Sequence, residues 1–307
     1  MAKEVYIICG PTASGKTAVS VELSKKLNGE VVSADSMQIY DELFIGTARP
    51  NEQEMAGIPH HLMGYVRPDG DYSVALYKQA ATKCIDELIY AQKTPIVCGG
   101  TGLYINSLTY DLDFSGTGAD EQLREELSRR FDENPTALYN ELIEIDPQSK
   151  ARIHANDKKR IIRRLEILKS GQSGDYDFDS KSQKYDFKIF VLSPERSVLY
   201  ERINSRVDKM MADGLEAEAR GLYEKYGGDI KAFAAIGYKE FIPYFNGLIS
   251  LEDVVYQIKL NTRHYAKRQL TWFKRDERAR FIDPLAFKNA EKCAEKIIEI
   301  AEENDGH

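Results

Sequence analysis

The sequence predicts an α/β protein, with a mostly parallel sheet that carries helices on both faces and a helical domain inserted between two of its strands. Three observations support this fold class. A glycine-rich segment with the spacing G-x-x-x-x-G-K-T follows the first apolar run, at residues 10–17. Apolar runs of strand length then alternate with helical patterns as far as residue 112. From 113 to 185 we find helical patterns and no strong strand, and strand character returns at 187–192.

The first element is a strand that ends in a phosphate-binding loop. An apolar run at 5–9 precedes the loop and a helical pattern follows at about 17–27, which is the context that a Walker A signature requires in a P-loop NTPase-like core. The glycines let successive N–H groups turn toward an anion, and the start of the helix adds its positive end. The predicted phosphate-binding residues are Gly10, Pro11, Thr12, Ala13, Ser14, Gly15, Lys16 and Thr17.

Lys16 and Thr17 predict the chemistry of this loop. A lysine in this position places a point charge on the terminal phosphates, and the hydroxyl that follows is placed to bind Mg²⁺. The loop therefore predicts a di- or triphosphate ligand with Mg²⁺.

The second strand, at 30–34, delivers Asp35-Ser36-Met37-Gln38 at its carboxyl end. Ligands of open parallel sheets bind beyond the carboxyl ends of the strands, so Asp35 is predicted to face the same crevice as the phosphate loop. Three interpretations of Asp35 remain open from the residues alone: a Mg²⁺-binding or basic residue of a kinase, a general base for another nucleophile, or a turn residue.

The third strand, at 95–98, leads into a second glycine-rich loop. Before it, 41–73 is rich in turn residues, and Ser73 is predicted to cap a helix with a buried face at Tyr77, Ala81, Cys84, Ile85 and Leu88. The run Gly99-Gly100-Thr101-Gly102 then opens another helix. It is predicted to lie at the same edge of the sheet as the phosphate loop.

The rest of the chain is predominantly helical. The predicted boundaries are 1–112 with 186–307 for the core and 113–185 for the insertion, in which 171–184 is predicted to be a mobile linker without an assigned role. The predicted helices of the insertion are 119–132, 135–145 and 157–170, and those of the C-terminal part are 195–212, 215–226, 236–245, 251–275 and 285–304.

Charge and composition limit the possible functions. The net charge of −7 argues against nonspecific nucleic-acid binding, yet 150–169 and 259–280 each carry eight Lys or Arg residues against two acidic ones. Such asymmetry on an acidic protein is typical of a polyanion-binding surface, although either stretch alone is also compatible with a solvated helix face. The four cysteines form no C-x-x-C pair, and no signal peptide or membrane-spanning run is found, so a cytoplasmic location is predicted.

Longer motifs are more specific than the Walker loop, which many families share. They include the strings D-S-M-Q-I-Y at 35–40 and P-H-H-L at 59–62. Further matching stretches are 99–104, 156–163, 202–215, 235–240 and 262–272. Across nearly the whole chain the sequence resembles the tRNA dimethylallyltransferases (tRNA isopentenyltransferases) of the bacterial type.

The resemblance implies transfer of a dimethylallyl group from its diphosphate to N6 of the adenosine just 3′ of the tRNA anticodon. It implies that the phosphate loop holds dimethylallyl diphosphate with Mg²⁺ on Thr17, and that the catalytic residues are Asp35, Thr101 and Arg206, with Arg206 favoured over Arg202. The tRNA contacts that it implies are Asp35, Ser36, Met37, Gln38, Thr101, Arg124, Lys159, Arg160, Ile161, Ile162 and Arg163.

Two residues depart from the family pattern, because Lys159 stands where Gln is common and Arg164 where Ala is common. Both changes add positive charge. A monomer is expected.

Two other functions remain as alternatives. A small-molecule or nucleoside kinase shares the predicted fold, and fold does not decide function. A kinase, however, has no evident need for a basic helical insertion. An RNA-binding ATPase switch without chemistry is the other alternative, and the intact Lys16, Thr17 and Asp35 weaken it.

Overall fold

The computed structural model describes residues 3–112, 114, 121–170 and 180–303. Within these residues, one six-stranded sheet has the strand order β3-β2-β4-β1-β5-β6, and every pair of neighbouring strands is parallel. The strands are β1 (Glu4–Cys9), β2 (Gly29–Ser33), β3 (His60–His61), β4 (Thr94–Gly99), β5 (Asp186–Leu192) and β6 (Arg280–Ile282). The predicted α/β fold with a mostly parallel sheet is confirmed. The edge strands β3 and β6 were not predicted.

The helices in the described residues are α1 (Lys16–Lys26), α2 (Glu52–Met55), α3 (Val74–Tyr90), α4 (Gly102–Thr109), α5 (Glu121–Glu133), α6 (Pro135–Ile145), α7 (Ser149–Arg152), α8 (Lys158–Lys169), α9 (Arg196–Ala212), α10 (Leu215–Tyr226), α11 (Phe241–Phe245), α12 (Leu251–Phe273) and α13 (Ala290–Glu302). Short 3₁₀ turns occupy Lys231–Ala234 and Pro284–Ala286. No helix in the described part of the chain is long and apolar enough to cross a membrane.

The central strand β1 is buried on both faces, as an unbroken apolar run requires. Val5, Ile7 and Cys9 pack with α3 and α4 on one face of the sheet. Tyr6 and Ile8 pack with α1 and α13 on the other. The side chains of a strand alternate between faces, so this one run joins both layers of the core.

The C-terminal helices form a further apolar cluster, in which the most buried large residues are Phe233, Tyr238 and Phe241. The predicted helix 236–245 is wrong, because only Phe241–Phe245 is helical. Gly237 has a φ of +99°, a left-handed conformation that interrupts a helix. The predicted helix 285–304 begins only at Ala290.

The insertion has a core of its own. Contacts between Cα atoms divide the chain into Met1–Thr109 with Ser182–His307, and Tyr110–Lys181. In the second unit, the buried side chains of Leu127, Leu142 and Leu165 join α5, α6 and α8. The functional division of the chain at 1–112, 113–185 and 186–307 into a core and a tRNA-binding domain stays a prediction.

Two predictions made for the insertion fall partly outside the described residues. These are the start of the helix 119–132, at 119 and 120, and most of the linker 171–184, at 171–179. The end of that linker is held by hydrogen bonds. The N–H of Ser182 donates to the carbonyl of Thr109 at 3.0 Å, and the Lys184 ammonium pairs with Asp86 at 2.7 Å.

Candidate active site

The loop between β1 and α1 has the backbone of a phosphate cradle, and two of its glycines are required for different reasons. Gly10 has a φ of +140°, and a Cβ built on it would lie 2.4 Å from the carbonyl oxygen of Leu192. Gly15 precedes α1 with a φ of +93°, but a Cβ there would meet nothing within 4 Å. Gly10 is therefore needed for close packing on β5 as well as for its backbone conformation, and Gly15 for its backbone conformation alone.

Two cations lie at this loop with neutral partners. The Lys16 Nζ donates to the carbonyl of Pro11 at 2.6 Å, and the Arg206 Nη1 donates to the Thr12 hydroxyl at 3.2 Å. Burial lowers the pKa of Lys16, and the charge of Arg206 lowers it further. Burial also lowers the pKa of Arg206. Neither side chain forms an ion pair with a described residue, so both positive charges are available to a bound anion.

Asp35 lies at the carboxyl end of β2 and is held in one orientation by its own chain. Its Oδ1 accepts hydrogen bonds from the N–H groups of Met37 at 2.9 Å and Gln38 at 3.3 Å. The other oxygen, Oδ2, accepts none from the described residues. This geometry is a turn, as one of the interpretations of Asp35 supposed, and it leaves the second carboxylate oxygen in the wall of the cleft.

Thr101 joins the second glycine-rich loop to the segment that follows β2. Its hydroxyl accepts from the N–H of Ser36 at 3.0 Å and donates to the Ser36 hydroxyl at 3.3 Å. The approach is close, since a Cβ on Gly99 would lie 2.2 Å from the carbonyl oxygen of Ala34. The structure therefore places Thr101 beside the segment that carries Asp35.

The side chain of Gln269, on α12, bridges the two glycine-rich loops. Its Oε1 accepts from the N–H of Thr12 at 3.0 Å, and its Nε2 donates to the carbonyl of Gly100 at 2.8 Å. One turn earlier, burial raises the pKa of Tyr265 to about 12, and the charge of Asp35 acts in the same direction. The sequence analysis gave neither residue a role. The available signal was a polar side chain on the buried face of a long helix, between Ala266 and Phe273.

These elements enclose a cleft of about 670 Å³ within the first unit. Five cationic side chains line its wall, against only two carboxylates, those of Asp35 and Glu54. The cations are Lys16, Arg202, Arg206, Lys239 and Arg268. Apolar side chains of α9 and α12, such as Val207 and Ile258, complete the wall. The cleft can therefore hold an anion next to an apolar group.

The side chains of His60, His61 and Trp272 contact other parts of the fold. The Nδ1 of His60 lies 2.8 Å from the carbonyl of Ile58, and the Nε2 of His61 lies 2.7 Å from Glu30. Burial lowers the pKa of His60. Trp272 packs against the sheet core, and a Cβ on Gly102 would lie 2.3 Å from its ring.

The second basic stretch, 259–280, begins with residues that hold α12 to α9. The Lys259 ammonium pairs with Asp208 at 2.5 Å, and the Arg263 guanidinium donates to the Asn204 amide oxygen at 2.7 Å. Both side chains are therefore engaged in the packing of α12 against α9.

The predicted RNA contacts of the insertion fall into three groups. The guanidinium groups of Arg124 and Arg163 both contact the buried carboxylate of Glu166 at 2.9 Å. The side chains of Ile161 and Ile162 lie in the core of the insertion, so in this structure they are not available to a ligand. The two cations of the first turn of α8 are exposed: Arg160 makes a 3.3 Å contact with Asp157, and Lys159 pairs with no described residue.

A metal would need ligand oxygens in addition to those of the protein. Among the described residues, no group of three or more His, Cys, Asp or Glu side chains could hold an ion. The Thr17 hydroxyl and the Asp35 carboxylate line the same cleft, and the buried Ser14 hydroxyl has no partner. Oxygen donors of this kind suit a hard cation that is bound mainly through phosphate oxygens.

Comparison with known proteins identifies the family. The family model described as IPP transferase matches residues 38–276, and the one described as isopentenyl transferase matches 3–67. The chain belongs to the IPP transferase family. Within this family, the tRNA dimethylallyltransferase of Alkaliphilus oremlandii is 46% identical over 303 residues, which are 97% of each chain. That of Acetivibrio thermocellus is 44% identical over 299 residues, 95% of this chain and 96% of its own.

Solved structures of the IPP transferase family share this fold. The full-length tRNA isopentenylpyrophosphate transferase of Bacillus halodurans is 40% identical, with a TM-score of 0.73 over 99% of this chain and 96% of that one. A eukaryotic dimethylallyltransferase described as acting on tRNA is 31% identical, with a TM-score of 0.81 over 95% of this chain and 78% of that one.

Proposed function

We propose that this protein transfers the dimethylallyl group of dimethylallyl diphosphate to N6 of the adenosine 3′ of the anticodon in tRNA and releases diphosphate. One observation carries the proposal: the cleft brings together two cations at a phosphate loop and a carboxylate at the end of β2. The two cations form no ion pair with a described residue, and one carboxylate oxygen accepts no hydrogen bond from one. The activity named for relatives that match nearly the whole chain supports the same conclusion.

The phosphate loop would hold the diphosphate leaving group. As the allylic C1–O bond breaks, its electron pair stays on the diphosphate and positive charge develops on carbon, so stabilising the leaving group is a large contribution to the rate. Burial lowers the pKa of both Lys16 and Arg206, so these cations are already partly removed from water before an anion binds. Arg206 is the better candidate of the arginine pair because it contacts the loop at Thr12, whereas Arg202 is exposed.

Asp35 would act as the general base. The N6 lone pair of adenine forms the new bond to C1, and the Oδ2 of Asp35 takes the proton that N6 must lose. The turn that binds Oδ1 orients the carboxylate for this transfer. Thr101, which bonds to Ser36, would contact the adenosine that has left the anticodon-loop stack.

Magnesium would be held by the Thr17 hydroxyl together with oxygens of the diphosphate, a donor set that agrees with the absence of a carboxylate cluster among the described residues. When bound, such an ion neutralises charge on the leaving diphosphate.

The tRNA would be recognised at two places. In the cleft, the candidates are Asp35, Ser36, Met37, Gln38 and Thr101. In the insertion, they are Arg124, Lys159, Arg160 and Arg163, while Ile161 and Ile162 would contribute at most their backbone because their side chains are buried. A tRNA partner also supports the proposed cytoplasmic location.

The test uses an unmodified anticodon stem-loop RNA and dimethylallyl diphosphate labelled at C1. We expect Mg²⁺-dependent label on the adenosine 3′ of the anticodon, and none when inosine replaces that adenosine, since inosine lacks the N6 amine. An absence of label on the RNA, with transfer of the γ-phosphate of ATP to a nucleoside or other small molecule, would instead support the kinase alternative.

A further inference from the structure

The carboxylate of Glu218, on α10, binds a turn of the chain through backbone groups alone. It accepts hydrogen bonds from three consecutive N–H groups, of Phe44 at 3.1 Å, Ile45 at 2.9 Å and Gly46 at 3.1 Å. It also accepts from the Tyr238 hydroxyl at 2.6 Å. Hydrogen bonds to an ionised acceptor are the strong ones, so this carboxylate holds the turn in one conformation.

The turn cannot easily take another position. A Cβ on Gly46 would lie 2.5 Å from the Tyr238 ring, so the backbone of the turn and that ring are in direct contact. Ala48, at the end of the turn, has a φ of +48°, and its N–H donates to the carbonyl of Ile45 at 2.9 Å. The carbonyl groups of Thr47 and Ala48 are thereby given a defined direction.

Those two carbonyl groups bind the amide of Gln38. Its Nε2 donates to the Thr47 oxygen at 3.2 Å and to the Ala48 oxygen at 3.4 Å. A reversed amide would place its oxygen against two carbonyl oxygens, which have no hydrogen to donate, so the orientation is decided by the turn. The Oε1 of Gln38 accepts no hydrogen bond from the described residues, and Gln38 lines the cleft.

We propose that Glu218 is a positioning residue for recognition of a tRNA base. Through the turn at 44–48 it orients Gln38, so that the cleft presents only a hydrogen-bond acceptor at this position. An acceptor selects a base edge with an exocyclic amine, as in adenine or cytosine, and rejects an edge that presents a carbonyl. The inference rests on the proposed function, because it assigns the base-reading side of that cleft.

The experiment compares Glu218→Gln with Glu216→Gln. Glu216 lies on the same helix, but its half-buried carboxylate pairs with Arg220 at 3.0 Å and accepts a hydrogen bond from the Tyr244 hydroxyl at 3.2 Å, not from the turn. In Glu218→Gln the amide NH₂ would face backbone N–H groups, and the turn would lose its anchor. We expect KM for the stem-loop RNA to rise about 10-fold, the worth of one to two hydrogen bonds, while KM for dimethylallyl diphosphate stays within about 2-fold. Glu216→Gln should leave both values unchanged.

A double-mutant cycle with Gln38→Met tests whether Glu218 acts through Gln38. If it does, adding Glu218→Gln to Gln38→Met raises KM for RNA by less than about 2-fold further, because the oriented amide is already gone. Fully additive effects would overturn the proposal and leave Glu218 with a general structural role. Should Glu218→Gln fail to fold, Tyr238→Phe, which removes one of the four hydrogen bonds, replaces it in the cycle with the same criterion.

Failure of this inference can be distinguished from failure of the proposed function. Wild-type protein that labels no RNA contradicts the proposed function itself. Wild-type protein that labels RNA normally, together with a Glu218→Gln variant indistinguishable from Glu216→Gln, contradicts only the assignment of Glu218.

Discussion

The cleft of the first unit and the basic helices of the insertion both carry positive charge, but their cations have different partners. In the cleft, Lys16 and Arg206 are desolvated and contact a carbonyl and a hydroxyl. In the insertion, Arg124 and Arg163 share the carboxylate of Glu166, whose exposed fraction is 2%.

The contrast separates charges kept for a ligand from charges used by the fold. A desolvated cation without an ionic partner costs stability, and that cost is offset when a bound anion supplies the opposite charge. A cation that satisfies a buried carboxylate stabilises the fold and has less to offer a ligand. Basic residues cannot be assigned to one class or the other from sequence spacing alone.

The largest effect should come from Asp35→Asn. The amide keeps the size of the side chain and cannot take the proton from N6, so we expect kcat to fall by about 10²- to 10⁴-fold. Dissociation constants for dimethylallyl diphosphate and stem-loop RNA, measured by calorimetry and filter binding, should change by less than about 3-fold. A kcat near the wild-type value would remove Asp35 as the base and weaken the distinction between a catalytic cleft and a structural insertion.

Lys16→Met should reduce kcat by about 10²- to 10³-fold, the usual consequence of losing one group that stabilises a leaving anion. For stability, we expect no such loss. Because the ammonium is desolvated and pairs with no acidic side chain among the described residues, the free energy of unfolding should stay the same or increase. Urea denaturation followed by circular dichroism would measure it, and a clear loss of stability would mean that Lys16 serves the fold.

In the insertion, we expect the removal of cations to lower the stability of the protein. The double variant Arg124→Gln with Arg163→Gln removes two guanidinium groups that pair with the buried Glu166 carboxylate, and we expect a loss of about 2–3 kcal/mol. The matched control, Lys159→Gln with Arg160→Gln, changes two exposed cations and should leave stability within about 0.5 kcal/mol.

That control pair should instead change RNA binding. Two phosphate contacts correspond to a decrease of about 1.4–1.8 units in the slope of log affinity against log salt. A slope unchanged in the Lys159 and Arg160 variant would mean that RNA contacts a different surface.

How much of the fold could be predicted from the sequence depended on how regular each element is. The four long strands and the helices around them follow simple periodic patterns, and β1 and β5 appear nearly where the pattern places them. The errors fall where tertiary contacts decide. β3 is two residues long, and β6 is three residues long at the edge of the sheet. The failed helix at 236–245 is interrupted by the left-handed Gly237.

In the candidate site too, residues with a local sequence signal could be predicted, and residues whose role depends on long-range contacts could not. The phosphate loop could be predicted because its chemistry is local, with glycines, lysine and threonine at fixed spacing. Gln269 could not, because its role depends on two loops that are 169 and 257 residues away in sequence from it. Glu166 was counted only as an acidic residue among basic ones, since periodicity does not reveal that its carboxylate is buried between two arginines.

The smallest expected effect is a loss of stability at low pH, when Glu166 binds a proton. Burial alone would raise the pKa of Glu166, but the hydrogen bonds from Arg124 and Arg163 outweigh it, and the pKa lies below its ordinary value of 4.5. The native carboxylate therefore binds a proton more weakly than the unfolded one. Its stabilising contribution is complete above pH 4.5 and is lost as the pH falls through the lower native pKa.

Hydrogen exchange of α8 amides between about pH 5.5 and 3, read by mass spectrometry, would measure this loss. We expect this loss to be smaller than the loss caused by removing both arginines, because a protonated Glu166 is neutral and needs no counter-charge. In Glu166→Gln the titrating group is absent, so the slope of stability against pH should become shallower without reaching zero, because Glu141 and Asp146 also have lowered pKa values. An identical slope in the variant would mean that the two arginines do not favour the ionised form of Glu166, and the contrast between the two regions would then rest on geometry alone.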